Sequence, residues 1–321
     1  MKFATFRHHG STHTGVVDAD AVYPIGSVDS MLELLRGGLD AALVLGKSAL
    51  RSSAIPLPDV VLQAPLVPPT IRDFVTFEEH VAGVRRSIDG AEGVVDAWYE
   101  APRFYFTNPY AVIGPGDSVL APRDTRALDF ELEVAAVVGR SGSSCTVEQA
   151  RDHIFGYTIL NDWSARDIQG REMQVNLGPS KGKDFANTLG PWIVTADELD
   201  RHRDEDGFLH LDCSVTVNGV LVGHDSLANM AWTFDAMVAY ASRDTWIHPG
   251  DVLGSGTVGN GGCLAELWGR SGERTPPPLQ PGDVVTLTVD SIGSVTNTIG
   301  RSTTAPIVPP ARRADHERPA R

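Results

Sequence analysis

Two glutamates, Glu131 and Glu133, stand two residues apart in DFELEVAAVVG, residues 129–139. A strand repeats every two residues, so Phe130, Leu132 and Val134 share one face and the two carboxylates share the other. Side-by-side carboxylates repel, and something must neutralise them: water on an exposed face, a neighbouring Lys or Arg, or a hard cation such as Mg²⁺ or Ca²⁺ that prefers oxygen ligands. The stretch runs on as AAVV, which reads as buried. A strand wet at its start and dry at its end leads into a cleft, yet the spacing alone leaves the solvated face and the cation site both open.

Three other stretches carry groups that could join them. In RDFVTFEEHVAG, residues 72–83, Thr76 and Glu79 have capping-box spacing, which predicts a short helix with His80 in its first turn. The positive end of a helix disfavours imidazolium, so a histidine there stays neutral and able to accept a proton; the alternative is an ordinary exposed histidine. In NDWSARDIQGRE, residues 161–172, Ser164 and Asp167 have capping spacing, Asp162 stands just ahead of the helix, and Arg166 and Gln169 lie three apart on one face. That set could hold a metal and an anionic substrate together, or could be a turn acid beside a solvated face. LGPSKGKDF, residues 177–185, puts Lys183 on a glycine-bearing loop where a cation can approach a ligand. GSGTVG, residues 254–259, matches GxGxxG, but more glycine follows and then the strand-like LAELWG, so the dinucleotide reading is rejected.

The elements that must position these groups are mostly short strands. Residues 1–60 hold strand-like pieces (KFATFRH, GVVDADAVYPI) and one helical piece (SVDSMLELLRGGLDAALVLG), and form a small N-terminal domain. The Pro-rich span 55–73 reads as extended linker, because proline disfavours helix and central strand. Residues 61–308 read as a β-rich α+β domain of short strands and Gly/Pro turns, and 309–321 as a disordered tail. Residues 76–104 are expected to form a mobile lid, being glycine-bearing and weakly periodic. The 27 Lys+Arg against 41 Asp+Glu give a formal charge of -14, which argues against nucleic acid or an anionic membrane as partner. The opening MKFATFRHHG lacks the apolar core of a signal peptide and no run is long enough to span a bilayer, so a cytoplasmic protein is expected. Three distant cysteines, Cys145, Cys213 and Cys263, point to neither a disulfide framework nor a zinc knuckle.

Taken together, DFELE, NDWSARDIQ, LGPSKGKDF and GSGTVGNGGCLAELWG resemble the fumarylacetoacetate hydrolase family over residues 70–300. The resemblance implies a mixed β-sandwich roll, a small barrel-like N-terminal domain and a homodimer. It implies metal ligands at Asp73, Glu131, Glu133 and Asp162 for Mg²⁺ or Ca²⁺, with Mn²⁺ also compatible. It places the proton-accepting histidine at His80, its acidic partner at Glu266, and substrate or oxyanion contacts at Arg166, Gln169, Lys183, Thr257 and Tyr105. The chain departs from the family where tyrosines line the hydrolase pocket: it has Val75 and Met173, the latter beside a one-residue insertion. The implied chemistry is hydrolysis of a C–C bond in a small anionic 1,3-diketo acid, with a water deprotonated by His80. The same platform serves hydratases, decarboxylases and tautomerases of 2-oxo acids, and a non-catalytic metal-stabilised binding protein is the reading from another class.

Overall fold

Valine, isoleucine and threonine dominate the runs that become strands, and a computed structural model describes residues 1–302 and 305–312. These form a 12-stranded sheet and a five-stranded sheet, besides two short two-stranded pairs. The main path of the large sheet runs in the order Ile55–Pro56, Ala21–Pro24, Ser11–Asp18, Lys2–His8, Asn187–Thr195, Ile154–Asp162, Leu132–Val138, Val252–Gly254, Ile71–Phe74, Phe104–Thr107, with Val61–Leu62 pairing Lys2–His8 and Val112–Ile113 pairing Asn187–Thr195 off that path. Neighbours along this path are antiparallel except Val252–Gly254 with Ile71–Phe74, which is parallel. The five-stranded sheet orders Val220–Ser226, Asp212–Val217, Val284–Val289, Gly293–Ile299 and Ser118–Val119. The result is the strand-rich α+β architecture expected.

The strand Leu132–Val138 is buried along its whole length because both of its faces are covered. Leu132, Val134, Ala136 and Val138 enter a large core shared with Val215, Leu287 and Val295 of the five-stranded sheet. Ala135 and Val137 enter a second core with Leu34, Leu35 and Met31 from the N-terminal helices. Burial on both faces explains why the sequence reads as an unbroken apolar run rather than an alternation.

Several local expectations are corrected. The first 60 residues form no closed barrel: Lys2 and Phe3 pair with Val194 and Ile193, so their strands extend the large sheet. The single helical piece is two helices, Met31–Arg36 and Leu39–Ala49, broken at Gly38, whose φ of 81° an L side chain rarely adopts. The Pro-rich span ends in the strand Ile71–Phe74, so Asp73 stands in a buried strand and not in a linker. LAELWG opens the helix Leu264–Ser271 rather than a strand. The segment 76–104 is largely helical, with Glu78–Asp89 and Asp96–Glu100. Glu78–Asp89 lies against Leu264–Ser271 through two glycines: a Cβ on Gly83 would fall 2.6 Å from Glu266 Cγ, and one on Gly269 would strike the Gly83 carbonyl. Of the expected tail, residues 309–312 are exposed and without regular structure, and 313–321 lie outside the described residues.

Candidate metal and catalytic centre

The four acids singled out by sequence converge. Asp73, Glu131, Glu133 and Asp162 each offer a carboxylate oxygen within 4.8 Å of the others, and all four are buried. Strand pairing brings them together: Glu133 pairs with Leu160, two residues before Asp162, and Asp73 pairs with Gly254, which also pairs with Ala135. Gly254 leaves the room: a Cβ there would lie 2.7 Å from Asp73 Oδ1 and 2.8 Å from Glu133 Oε2. The following Gly256, with φ 78°, donates its N–H to Glu133 Oε2 at 3.2 Å. The expectation of a wet strand start is thus overturned: Glu131 and Glu133 are as dry as the apolar run that follows.

Burial of so much negative charge demands compensation. Lys183 supplies part of it, donating from Nζ to Glu131 Oε2 and, at 2.6 Å, to Asp162 Oδ2. The Tyr105 hydroxyl, in register opposite Asp73, donates to the same Asp162 oxygen at 2.5 Å. Arg166 donates from Nε to Asp129 Oδ2 at 2.8 Å, from Nη2 to Glu131 Oε1 at 2.7 Å and from Nη1 to Gln169 Oε1 at 3.1 Å. These cations serve the acids unequally. Burial would raise the Glu131 carboxyl, but Lys183 and Arg166 outweigh it and hold that group well below the carboxylate range. Burial keeps Glu133 well above the range, with Asp73 beside it adding to the shift, and Asp162 stays high despite Lys183. Asp73 Oδ1, Glu133 Oε1 and Asp162 Oδ1 have no hydrogen-bond partner among the described residues. A donor set of hard carboxylate oxygens, three of them orphaned and too acidic a cluster for one ammonium, fits a divalent hard cation.

His80 is the third residue of the helix Glu78–Asp89, and it is buried rather than exposed. Its Nε2 lies 3.9 Å from Glu131 Oε1 and its Nδ1 lies 3.6 Å from Cys263 Sγ. Burial lowers its imidazole to about 4, so the ring is neutral at physiological pH. The capping box that predicted this helix does not form: Thr76 Oγ1 donates instead to Ser255 O at 2.7 Å, and buried Phe77 occupies the cap position. Nor does Ser164 cap the helix Arg166–Met173: its Oγ donates to Asp162 O, while Asp167 accepts from Thr125 Oγ1 and Arg126 N.

A cavity of about 310 Å³ opens onto these groups, lined by Asp73, His80, Glu131, Glu133, Lys183, Tyr105, Arg166, Gln169 and Thr257, with Val75 and Met173 on an otherwise apolar wall. Glu266 is the exception. Its Oε1 accepts from Gly261 N at 3.3 Å and pairs with Arg270 at 2.7 Å, while its Oε2 has no partner among the described residues. The group against His80 Nδ1 is Cys263. Sequence reasoning also passed over Asp129, which accepts from Leu264 N and Ala265 N as well as Arg166. Its signal was available: Asp129, Glu131 and Glu133 continue one spacing of two.

Residues 70–300 match the family model described as fumarylacetoacetate (FAA) hydrolase C-terminal. The fumarylacetoacetase of Arabidopsis thaliana is 31% identical over 313 residues, covering 81% of this chain and 74% of its own. The oxaloacetate tautomerase of Bacillus subtilis (strain 168) is 33% identical over 202 residues, 63% of this chain, which spans 62% of that relative's length. A maleylpyruvate hydrolase from Sphingobium sp. SYK-6, in complex with manganese(II) ion and pyruvate, shares the fold with a TM-score of 0.71 at 24% identity, covering 94% of this chain and 100% of that one. Among the described residues no helix is long and apolar enough to cross a membrane.

Proposed function

Because the chain belongs to the fumarylacetoacetate hydrolase family, we propose that it hydrolyses a C–C bond in a small anionic 1,3-diketo acid of the acylpyruvate type, with a divalent metal held by Asp73, Glu131, Glu133 and Asp162. The observation that carries this reading is the pairing, in one cavity, of four convergent carboxylates with a neutral buried histidine. When bound there, Mg²⁺, Mn²⁺ or Ca²⁺ supplies Lewis acidity to a 1,3-dioxygen unit. That a maleylpyruvate hydrolase of the same fold holds manganese(II) and pyruvate supports the choice of ion class and of keto acid.

The residues divide the remaining work. His80 accepts a proton from water at Nε2, the nitrogen on the Glu131 side. Lys183 has two of its three N–H bonds on carboxylates, leaving one to face a developing oxyanion. Gln169 accepts from Arg166 through Oε1, which turns its amide donors to the same task. Arg166 is held by Asp129 through Nε and Nη2, by Glu131 through Nη2 and by Gln169 through Nη1, so it fixes Glu131 and Gln169 and offers only its second Nη1 hydrogen to a substrate carboxylate. Val75 and Met173 meet the acyl end, and Tyr105 and Thr257 flank the chelated end.

Steady-state assay of acetylpyruvate after chelation and after re-addition of Mg²⁺ or Mn²⁺ tests this, with acetate and pyruvate followed as separate products. Metal-dependent release of both supports hydrolysis; none refutes it. The relative named as an oxaloacetate tautomerase favours a second reading, proton relocation on a 2-oxo acid by the same histidine. Enol–keto interconversion of oxaloacetate without C–C cleavage of acetylpyruvate would establish that one instead. A cytoplasmic homodimer goes with either reading, and sedimentation velocity reads the subunit number.

A further inference from the structure

We propose that Cys263 is the positioning residue for His80, holding the ring through Nδ1 so that Nε2 faces the carboxylates and the cavity. The proposal rests on the reading of His80 as proton acceptor. The Sγ contact at 3.6 Å is the one hydrogen bond the His80 side chain makes among the described residues, and both residues are buried. The carboxylate expected in that place is occupied elsewhere: Glu266, three residues along, is turned to Arg270 and Gly261 N.

The sulfur is itself held still. Cys263 stands at the cap position of the helix Leu264–Ser271, with extended backbone, and its Sγ accepts from Glu266 N at 3.4 Å. Asp129 fixes the same turn by accepting from Leu264 N at Oδ1 and from Ala265 N at Oδ2, and Oδ2 also accepts from Arg166 Nε. The helix is in turn locked against the His80 helix at the Gly83–Gly269 crossing. One rigid turn therefore fixes both the sulfur and the guanidinium that orients Glu131, which sets the histidine and a metal-site carboxylate from a common support. Burial, with Asp129 nearby, pushes the Cys263 thiol well above its ordinary range, so it remains uncharged and adds no anion to the cluster. In the proposed arrangement the imidazole Nδ1–H donates to a sulfur lone pair, a weak acceptor, which leaves Nε2 bare without charging the ring.

The test compares Cys263→Ala and Cys263→Ser with the parent as Mg²⁺-loaded protein. Steady-state kinetics are read alongside ¹⁵N spectra of histidine-labelled protein, in which the two ring nitrogens of His80 report the tautomer. Cys263→Ala is expected to lower kcat by on the order of 10- to 100-fold, the range for a small misplacement of a reacting group, with KM and Mg²⁺ affinity unchanged. Its His80 signals should move from one tautomer to a mixture. Cys263→Ser, which keeps a helix cap and a polar atom, should recover a single tautomer and much of kcat. Unchanged His80 signals in Cys263→Ala overturn the proposal whatever the rate. Altered signals with an unchanged kcat uphold the contact between sulfur and imidazole and strike instead at His80 as the proton acceptor.

Discussion

Replacing Gly254 by alanine adds one methyl between two metal-site acids and alters no ligand. The new Cβ would stand 2.7 Å from Asp73 Oδ1, 2.7 Å from Leu160 Cδ2 and 2.8 Å from Glu133 Oε2, where ordinary contact begins at 3.4 Å. Asp73 and Glu133 must each withdraw by roughly 0.6–0.7 Å, well beyond the ~0.2 Å within which metal–ligand distances are held. Displaced ligands of this kind lower metal affinity by about 10- to 100-fold, or about 1.4–2.7 kcal/mol. Overpacking adds about 1–3 kcal/mol of destabilisation to the metal-free fold. Titration calorimetry with Mn²⁺ measures the first effect and thermal melts in chelator the second. Gly26→Ala, whose Cβ would meet nothing within 4 Å, is the control. Parental Mn²⁺ affinity in Gly254→Ala would refute the packing argument, since the acids would then tolerate the shift or not be ligands.

Glu131→Gln should weaken metal binding by at least about 10-fold and reduce turnover with it, because it removes the carboxylate charge that Lys183 and Arg166 organise; metal content and rate after desalting check this. For Glu266, burial raises the carboxyl to about 7 from 4.5, so the folded state favours the protonated form. Its stabilising contribution is whole below pH 4.5 and is lost as the pH rises through about 7, so the stability of Glu266→Gln relative to the parent should rise across that window, by up to roughly 3 kcal/mol. Urea midpoints across pH 4 to 8 measure it, and a difference independent of pH would contradict it. Alkanoylpyruvates should be preferred over fumarylacetoacetate, because Val75 and Met173 cannot hydrogen-bond a distal carboxylate; losing one such bond costs about 1.5–3 kcal/mol, roughly 10- to 150-fold in kcat/KM. A clear preference for fumarylacetoacetate would show the wall misread.

The period-two pattern of DFELE made the acid pair legible, and the family resemblance added Asp73 and Asp162 from distant stretches. Burial was not legible. Alternation says that Glu131 and Glu133 share a face, but not that Lys183, Arg166 and His80, from distant stretches, close over it. Local spacing also cannot see partners far along the chain. Thr76 had a capping position by sequence, yet Ser255, 179 residues on, takes its hydroxyl, and the helix starts later. Arg166 reads as a free guanidinium until Asp129 and Glu131 fold beside it. The Cys263 thiol reads as a bystander because only the crossing of two helices at Gly83 and Gly269 brings it to His80. The short helices were harder than the strands for the same reason: the first two N–H groups of Leu264–Ser271 are taken by Asp129, which no window around LAELWG contains.

Four buried carboxylates, those of Asp73, Glu131, Glu133 and Asp162, converge as a candidate site for one hard cation. Anomalous diffraction from a Mn²⁺-soaked crystal reads that site, because the peak locates the ion without reference to activity. One strong peak coordinated by oxygens of these four carboxylates is expected. A second constellation, His80, Glu131 and Cys263, also brings ligand atoms within 4.8 Å of one another, so the competing location is defined. A peak on the Cys263 sulfur and His80, or no ordered peak among the four acids, would contradict it.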